Sequence, residues 1–158
     1  AIVEPYVLDS RKCISYLTIE LKGSIPENLR PAIGQRVFGC DICQEVCPWN
    51  TKASTLPVSP FALEPGQVFP VSDMSAWSEE LLEFTDESFR HQYAGTALAR
   101  PGRNGLLRNL AVALGNSGDE AVLPLLRRMV ADSSELVREH AQWAIQQLRK
   151  TAGSSKTP

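Results

Sequence analysis

The chain has 158 residues, 43% hydrophobic and 22% charged, the balance of a soluble globular protein forming one domain or two small ones. No apolar run approaches the about 18 residues of a membrane span, and the start, Ala1-Ile2-Val3-Glu4-Pro5, shows neither an initiator Met nor a signal-peptide pattern. The net charge of −2 hides an asymmetry, with 7 Lys/Arg against 13 Asp/Glu in residues 1–99 and 8 against 5 in residues 100–150. A basic C-terminal half permits a polyanionic partner, although a solvated helix face gives the same count.

Residues 1–50 read as a cysteine module. Val3 to Leu8 is extended, and Asp9 is placed to cap a turn carrying Cys13. Ser15 to Leu21 predicts a short helix with Tyr16, Leu17 and Leu21 inward, closed by Gly23. Pro26 suits the start of another helix reaching about Ile33, with Gly34 ending it. Gly39 then opens a tight loop expected to turn backbone N–H groups towards sulfur. The run Cys40-Asp41-Ile42-Cys43-Gln44-Glu45-Val46-Cys47-Pro48 follows, so the full spacing is C-x26-C-x2-C-x3-C-P. Its end is the second half of the bacterial ferredoxin pattern, in which the last Cys serves the other of two clusters. Soft thiolates so spaced suit an iron–sulfur cluster or zinc, and the Pro after the last Cys favours iron–sulfur. A cluster on Cys13, Cys40 and Cys43 then lacks its fourth ligand, and a second cluster on Cys47 lacks three. The chain therefore reads as part of a protein. Disulfides fit poorly, because Cys40 and Cys43 are too close for a useful staple and nothing indicates secretion.

Residues 51–71 form a Pro-rich connector, with Pro57, Pro60, Pro65 and Pro70. From Ser72 to residue 150 the pattern is all helix. Ser72-Asp73 caps a helix with Trp77, Leu81 and Leu82. Asp86 opens a second, with Phe89, Tyr93 and Ala97 on one side, broken at Arg100-Pro101-Gly102-Arg103. Three regular helices follow. Asn104–Asn116 carries a stripe of Leu106, Leu107, Leu110, Ala111 and Leu114. Asp119–Ala131 carries Val122, Leu123, Leu126, Met129 and Val130. Ser133–Arg149 carries Leu136, Val137, His140, Ala141, Ala144, Ile145 and Leu148. Their joints, Leu-Gly-Asn-Ser-Gly-Asp-Glu and Asp-Ser-Ser-Glu, read as HEAT-like helical repeats. Residues 151–158 are a polar tail, expected to be disordered.

Three stretches together carry a resemblance: Leu8 to Glu20, Ile33 to Asn50, and Gly95 to Arg100 with Gly102 to Asn109. On these the chain resembles the C-terminal part of epoxyqueuosine reductases, over residues 1 to about 150. The resemblance implies a mostly α chain, a split ferredoxin-like 4Fe-4S module followed by HEAT-like repeats. It implies a cytoplasmic, monomeric enzyme with no membrane association that reduces epoxyqueuosine at the tRNA wobble position, using two 4Fe-4S clusters, cobalamin and an external electron donor. Cluster ligation carries over to Cys13, Cys40, Cys43 and Cys47. No catalytic residue carries over, and the cobalamin domain is expected before Ala1, so this chain alone is expected to be inactive.

Other side chains support two readings each. Arg100, Arg103, Arg108 and Asn109 surround a helix start, where they could hold phosphates of a tRNA anticodon arm or cap and bridge neighbouring helices. Arg127, Arg128, Arg149 and Lys150 read as solvated residues or RNA contacts. Trp49 could shield a cluster or simply pack, whereas Trp77 and Trp143 read as helical core. His140 reads as a satisfied core histidine, and His91 shows no partner. The competing overall reading is a non-enzymatic adaptor whose four thiolates close a zinc site and whose helices bind RNA or protein.

Overall fold

The computed structural model describes residues 1–50 and 69–154, so nearly all of the expected connector lies outside the described residues. The chain opens in an exposed antiparallel ribbon of β1 (Ile2–Glu4) and β2 (Val7–Leu8), paired Ile2 to Leu8 and Glu4 to Val7. Asp9 caps the next 3₁₀ turn, Ser10–Lys12, by accepting the Arg11 N–H at 3.2 Å, and Cys13 ends it. The expected helix after Cys13 takes a wider, π-type form over Tyr16–Glu20, with Leu17 and Thr18 buried and Tyr16 and Leu21 half-buried. A 3₁₀ turn at Glu27–Leu29 leads into α1 (Arg30–Ile33), which Gly34 ends at φ 62°. That left-handed conformation suits a residue without a Cβ. The cysteine run itself carries one short helix, α2 (Ile42–Glu45).

The remainder is helical: α3 (Val71–Glu83), α4 (Asp86–Gln92), α5 (Gly102–Asn116), α6 (Leu123–Val130) and α7 (Glu135–Ser154). Thr85 and Ser88 form a reciprocal capping box at the start of α4. That helix stops at Gln92 instead of continuing to Ala97, because Gly95 turns at φ 72° and Ala97–Ala99 becomes a separate 3₁₀ turn. Asp119 caps the 3₁₀ turn that enters α6 by accepting the Ala121 N–H at 2.9 Å. The last helix runs past residue 151, so the expected tail is helical up to Ser154. Thr151 presents no helix breaker, and its hydroxyl bonds back to Leu148 O at 2.9 Å.

The core centres on α5, which packs against α7, α3, α4 and α1, while α6 packs on α7. The sequence predicts a single apolar stripe here. Instead every residue from Gly105 to Gly115 is buried, so α5 is enclosed on all sides. Its approach to α7 is closest at Gly115, where an added Cβ would lie 2.7 Å from both Cα and Cβ of Ala144. Gly115→Ala should therefore destabilise the protein by about 1–3 kcal/mol through overpacking, checked by denaturant unfolding followed by circular dichroism. An unchanged midpoint would show that the two helices can part without cost.

On α7, His140 is buried, as expected for a core histidine. Its Nδ1 lies 2.7 Å from Leu136 O, and its Nε2 accepts the Ile25 N–H at 3.1 Å. Acceptance at Nε2 places the single proton on Nδ1, and burial drives the ring's pKa down to about 4. An unfolded histidine titrates near 6.5, so between the two values the unfolded chain binds the extra proton and the folded one does not. This contribution is complete above the unfolded pKa and is lost as pH falls towards about 4. It amounts to about 3 kcal/mol. Wild-type stability should thus fall across that window, and His140→Gln should flatten the fall, measured by urea unfolding at a series of pH values.

Candidate metal centre

All four cysteines are free thiols. Cys13, Cys40 and Cys47 are half-buried, and Cys43 is exposed on the first turn of α2. The N–H of Cys13 donates to Ser10 O at 2.9 Å, and its carbonyl accepts the Leu17 N–H at 2.9 Å, so this residue joins the 3₁₀ turn to the π-type turn. Cys47 lies just past α2, its N–H on Gln44 O and its carbonyl accepting from Asn50 at 2.9 Å. Asn50 also donates from Nδ2 to Gln44 O at 2.9 Å, which ties the end of the run back to α2. Among the described residues, no three His, Cys, Asp or Glu side chains gather closely enough to hold a metal ion. A tetrahedral zinc on four thiolates requires sulfurs about 4 Å apart, whereas a cubane cluster spreads its ligands more widely. The unpaired, accessible, soft donor set fits the cluster chemistry.

The elements before Cys40 are fixed from α5. Arg108 is fully buried and uses all five of its N–H donors. Nη1 donates to Leu21 O at 2.8 Å and Gly23 O at 2.7 Å, Nη2 to Leu17 O at 2.8 Å, and Nε and Nη2 to Asn109 Oδ1 at 3.0 and 2.9 Å. Asn109 in turn donates from Nδ2 to Thr18 O at 2.7 Å and Val37 O at 2.9 Å. Burial lowers the Arg108 pKa to about 10, which leaves it charged at neutral pH. Asn116 similarly donates to Arg30 O and Gly34 O, both at 2.9 Å. Gly39, at φ 78°, gives its N–H to Thr18 Oγ1 at 3.0 Å, so that amide faces a hydroxyl and not a sulfur as the sequence suggested.

The predicted arginine cluster is therefore divided. Arg103 is buried, with Nε on Leu81 O at 3.0 Å and both Nη atoms on the Asp132 carboxylate at 3.3 and 2.6 Å. Burial works to raise the Asp132 pKa, but Arg103 and the Ser134 N–H hold it below the usual range. Arg103, Arg108 and Asn109 thus bridge elements of the fold, the second of the two readings their positions allowed, and offer no surface donor to a phosphate. Only Arg100 of the four is exposed, and it pairs with Glu20. Setting aside Arg108 and the buried Arg103–Asp132 pair, residues 100–150 present six basic against four acidic side chains. Arg127, Arg149 and Lys150 are exposed, while Arg128 pairs with Glu79 and Glu83. Trp49 is 89% exposed, so it neither packs nor shields within the described residues. Trp143 is core, Trp77 is half-buried and His91 is exposed. No helix is long and apolar enough to cross a membrane among the described residues.

Reading the sequence missed Thr18 and Asn116 and left the use of Arg108 and Asn109 open between phosphate contact and bridging. For the three on α5 the available signal was their position inside a helix rich in Gly, Ala and Leu, where a polar residue has no solvent face to occupy.

The cysteine segment is similar to an iron–sulfur class of domain: a family model described as a 4Fe-4S double cluster binding domain matches residues 1–50. Comparison with curated proteins gives the particular kinship. The chain is 48% identical to the epoxyqueuosine reductase of Burkholderia pseudomallei, over 92% of this chain and 37% of that protein. It is 45% identical to that of Escherichia coli, over 93% of this chain and 37% of that protein. Among solved structures, epoxyqueuosine reductase from Bacillus subtilis superposes with a TM-score of 0.69 at 29% identity, over 99% of this chain and 43% of that one. An epoxyqueuosine reductase with a tRNA-Tyr epoxyqueuosine-modified stem loop gives 0.70 at 28%, over all of this chain and 42% of that one. These proteins that the chain is similar to are epoxyqueuosine reductases, and it spans about two fifths of the length of the relatives it matches.

The buried lattice gives a direct test. Arg108→Met, which strips the carbonyls of Leu17, Leu21 and Gly23 of their donors, should cost about 3 kcal/mol or more. Arg100→Ala should stay within about 0.5 kcal/mol. Parallel denaturation curves check both, and equal costs would show that burial at α5 carries no special weight.

Proposed function

We propose that the intact protein containing this chain is an epoxyqueuosine reductase, and that this chain supplies its iron–sulfur ligands. The carrying observation is the set of four free cysteines at the spacing of a split two-cluster ferredoxin, with Cys13 and the turn before Cys40 anchored to one buried lattice. Cys13, Cys40 and Cys43 hold one 4Fe-4S cluster and Cys47 contributes to a second, the remaining ligands coming from elsewhere in the protein. When bound, such clusters pass electrons one at a time, as a two-electron epoxide reduction at a cobalamin requires. The chain's own residues hold the ligands in register, keep the turns rigid and present them half-exposed to the rest of the protein. Cobalamin and the catalytic residues are assigned to the part of the relatives' length that this chain does not span.

In the same reading α5 to α7 are HEAT-like repeats that dock the anticodon arm of tRNA. Arg100, Arg127, Arg149 and Lys150 are the exposed cations available for its phosphates, and Arg103, Arg108 and Asn109 serve the fold. The protein works as a cytoplasmic monomer fed by an external reductant.

Iron analysis and the visible spectrum after anaerobic reconstitution of the intact protein test the assignment. Cys40→Ser and Cys47→Ser should each lose about half of the bound iron, and the double variant nearly all of it. Cys13→Ser combined with Cys40→Ser should lose no more than either alone. Stoichiometric zinc without iron or labile sulfide in the wild type would defeat this reading in favour of a zinc-stapled adaptor.

A further inference from the structure

The hydrogen bonds around Thr18 bring together features that cluster ligation alone does not require. Thr18 is fully buried in the π-type turn that begins three residues after Cys13. Its hydroxyl donates to Ile14 O at 2.8 Å and accepts the Gly39 N–H at 3.0 Å, immediately before Cys40. Its carbonyl accepts from Asn109 on α5, and that same amide group holds Val37 O. One threonine thus ties the turn behind one proposed ligand to the loop before another, and both to the central helix. Gly39 sits at φ 78°, where a side chain would be strained, so the hydroxyl holds the amide of a residue whose backbone is otherwise free to turn.

We propose that Thr18 is a positioning residue for the cluster held by Cys13, Cys40 and Cys43. It sets the spacing of Cys13 and Cys40 before iron arrives and withholds the Gly39 amide from the cluster sulfurs. The proposal rests on the cluster reading above. A backbone N–H turned onto a cluster sulfur raises its reduction potential. Holding that amide on Thr18 therefore keeps the potential of this one cluster low. A mis-spaced thiolate pair also releases iron more readily. Cys47 is held instead through Gln44 and Asn50, so the cluster it serves is not expected to respond to Thr18.

The test compares Thr18→Val and Thr18→Ser with the wild type in the reconstituted intact protein. Spectroelectrochemical titration reads the two potentials, and chelator-trapped iron release reads cluster retention. Thr18→Val should raise one potential, leave the other in place and release iron from that cluster about tenfold faster, the weight of one buried hydrogen bond. Thr18→Ser, which keeps the hydroxyl, should restore wild-type values. Equal behaviour of Thr18→Val and wild type overturns the proposal, as does an equal effect on both clusters with loss of global stability. Amide exchange on the wild type keeps the question decidable if Thr18→Val does not fold. The Gly39 N–H should be protected with and without clusters, and a freely exchanging amide overturns the assignment. Iron-free wild type after reconstitution overturns the cluster reading and this one together, whereas loaded wild type with an unresponsive Thr18→Val overturns this one alone.

Discussion

The fold depends on a buried guanidinium. Residues 1–50 contain little regular structure, and their buried apolar side chains are few: Leu17, Ile25, Ile33 and Val37. Such a segment cannot satisfy its own backbone, and its inward carbonyls face helices, not water. Arg108 resolves this by bonding to carbonyls of three different residues in that segment, and Asn109 and Asn116 add four more carbonyls. Desolvating a cation is costly, and the depressed pKa of Arg108 reports that cost. It is offset because every donor is used. Arg30 shows the alternative: also buried, it bonds Ile25 O and Glu139, stacks 5.6 Å from the Trp143 ring, and leaves Nη1 without a partner among the described residues.

This arrangement explains why the cysteine segment and the helices share one core. Ile25 gives its N–H to His140, Arg30 reaches Glu139, and Ser24 donates to the same carboxylate, so the segment is stapled to α7 as well as to α5. Burial acts to raise the Glu139 pKa, yet Ser24 and Arg30 hold it below its ordinary value. These contacts bind the stretch between Cys13 and Cys40 at many points, and beyond it Gln44, Cys47 and Asn50 bond to one another.

The helices after residue 70 were legible because their caps and apolar spacing obey local rules. Asp119 and the stripe on α7 act through neighbours within one or two turns, and the opening read at Asp86 lies one residue from the actual cap, Thr85. The likeness of residues 1–50 to a 4Fe-4S domain was equally legible, since cysteine spacing is written in the chain. The role of Arg108-Asn109 was not. A basic pair near a helix start satisfies the pattern of a phosphate site, and only tertiary burial reverses it. Periodicity likewise marks one apolar stripe on α5 because small residues such as Gly105, Ala113 and Gly115 register as neutral, although they are what lets neighbours close over every face.

The exposed apolar side chains complete the picture. Val46 and Trp49 lie at the end of the cysteine run, and Ile2, Tyr6 and Leu8 lie on the β1–β2 ribbon. Large apolar groups left in water at one end of a chain whose other surfaces are well packed are unfavourable by about 1.5–3 kcal/mol each when compared with burial. Val46 and Trp49 flank Cys47, whose backbone is held by hydrogen bonds with Gln44 and Asn50. Their exposure sets this end of the module apart from the turns around Thr18, which Arg108 and Asn109 hold to α5.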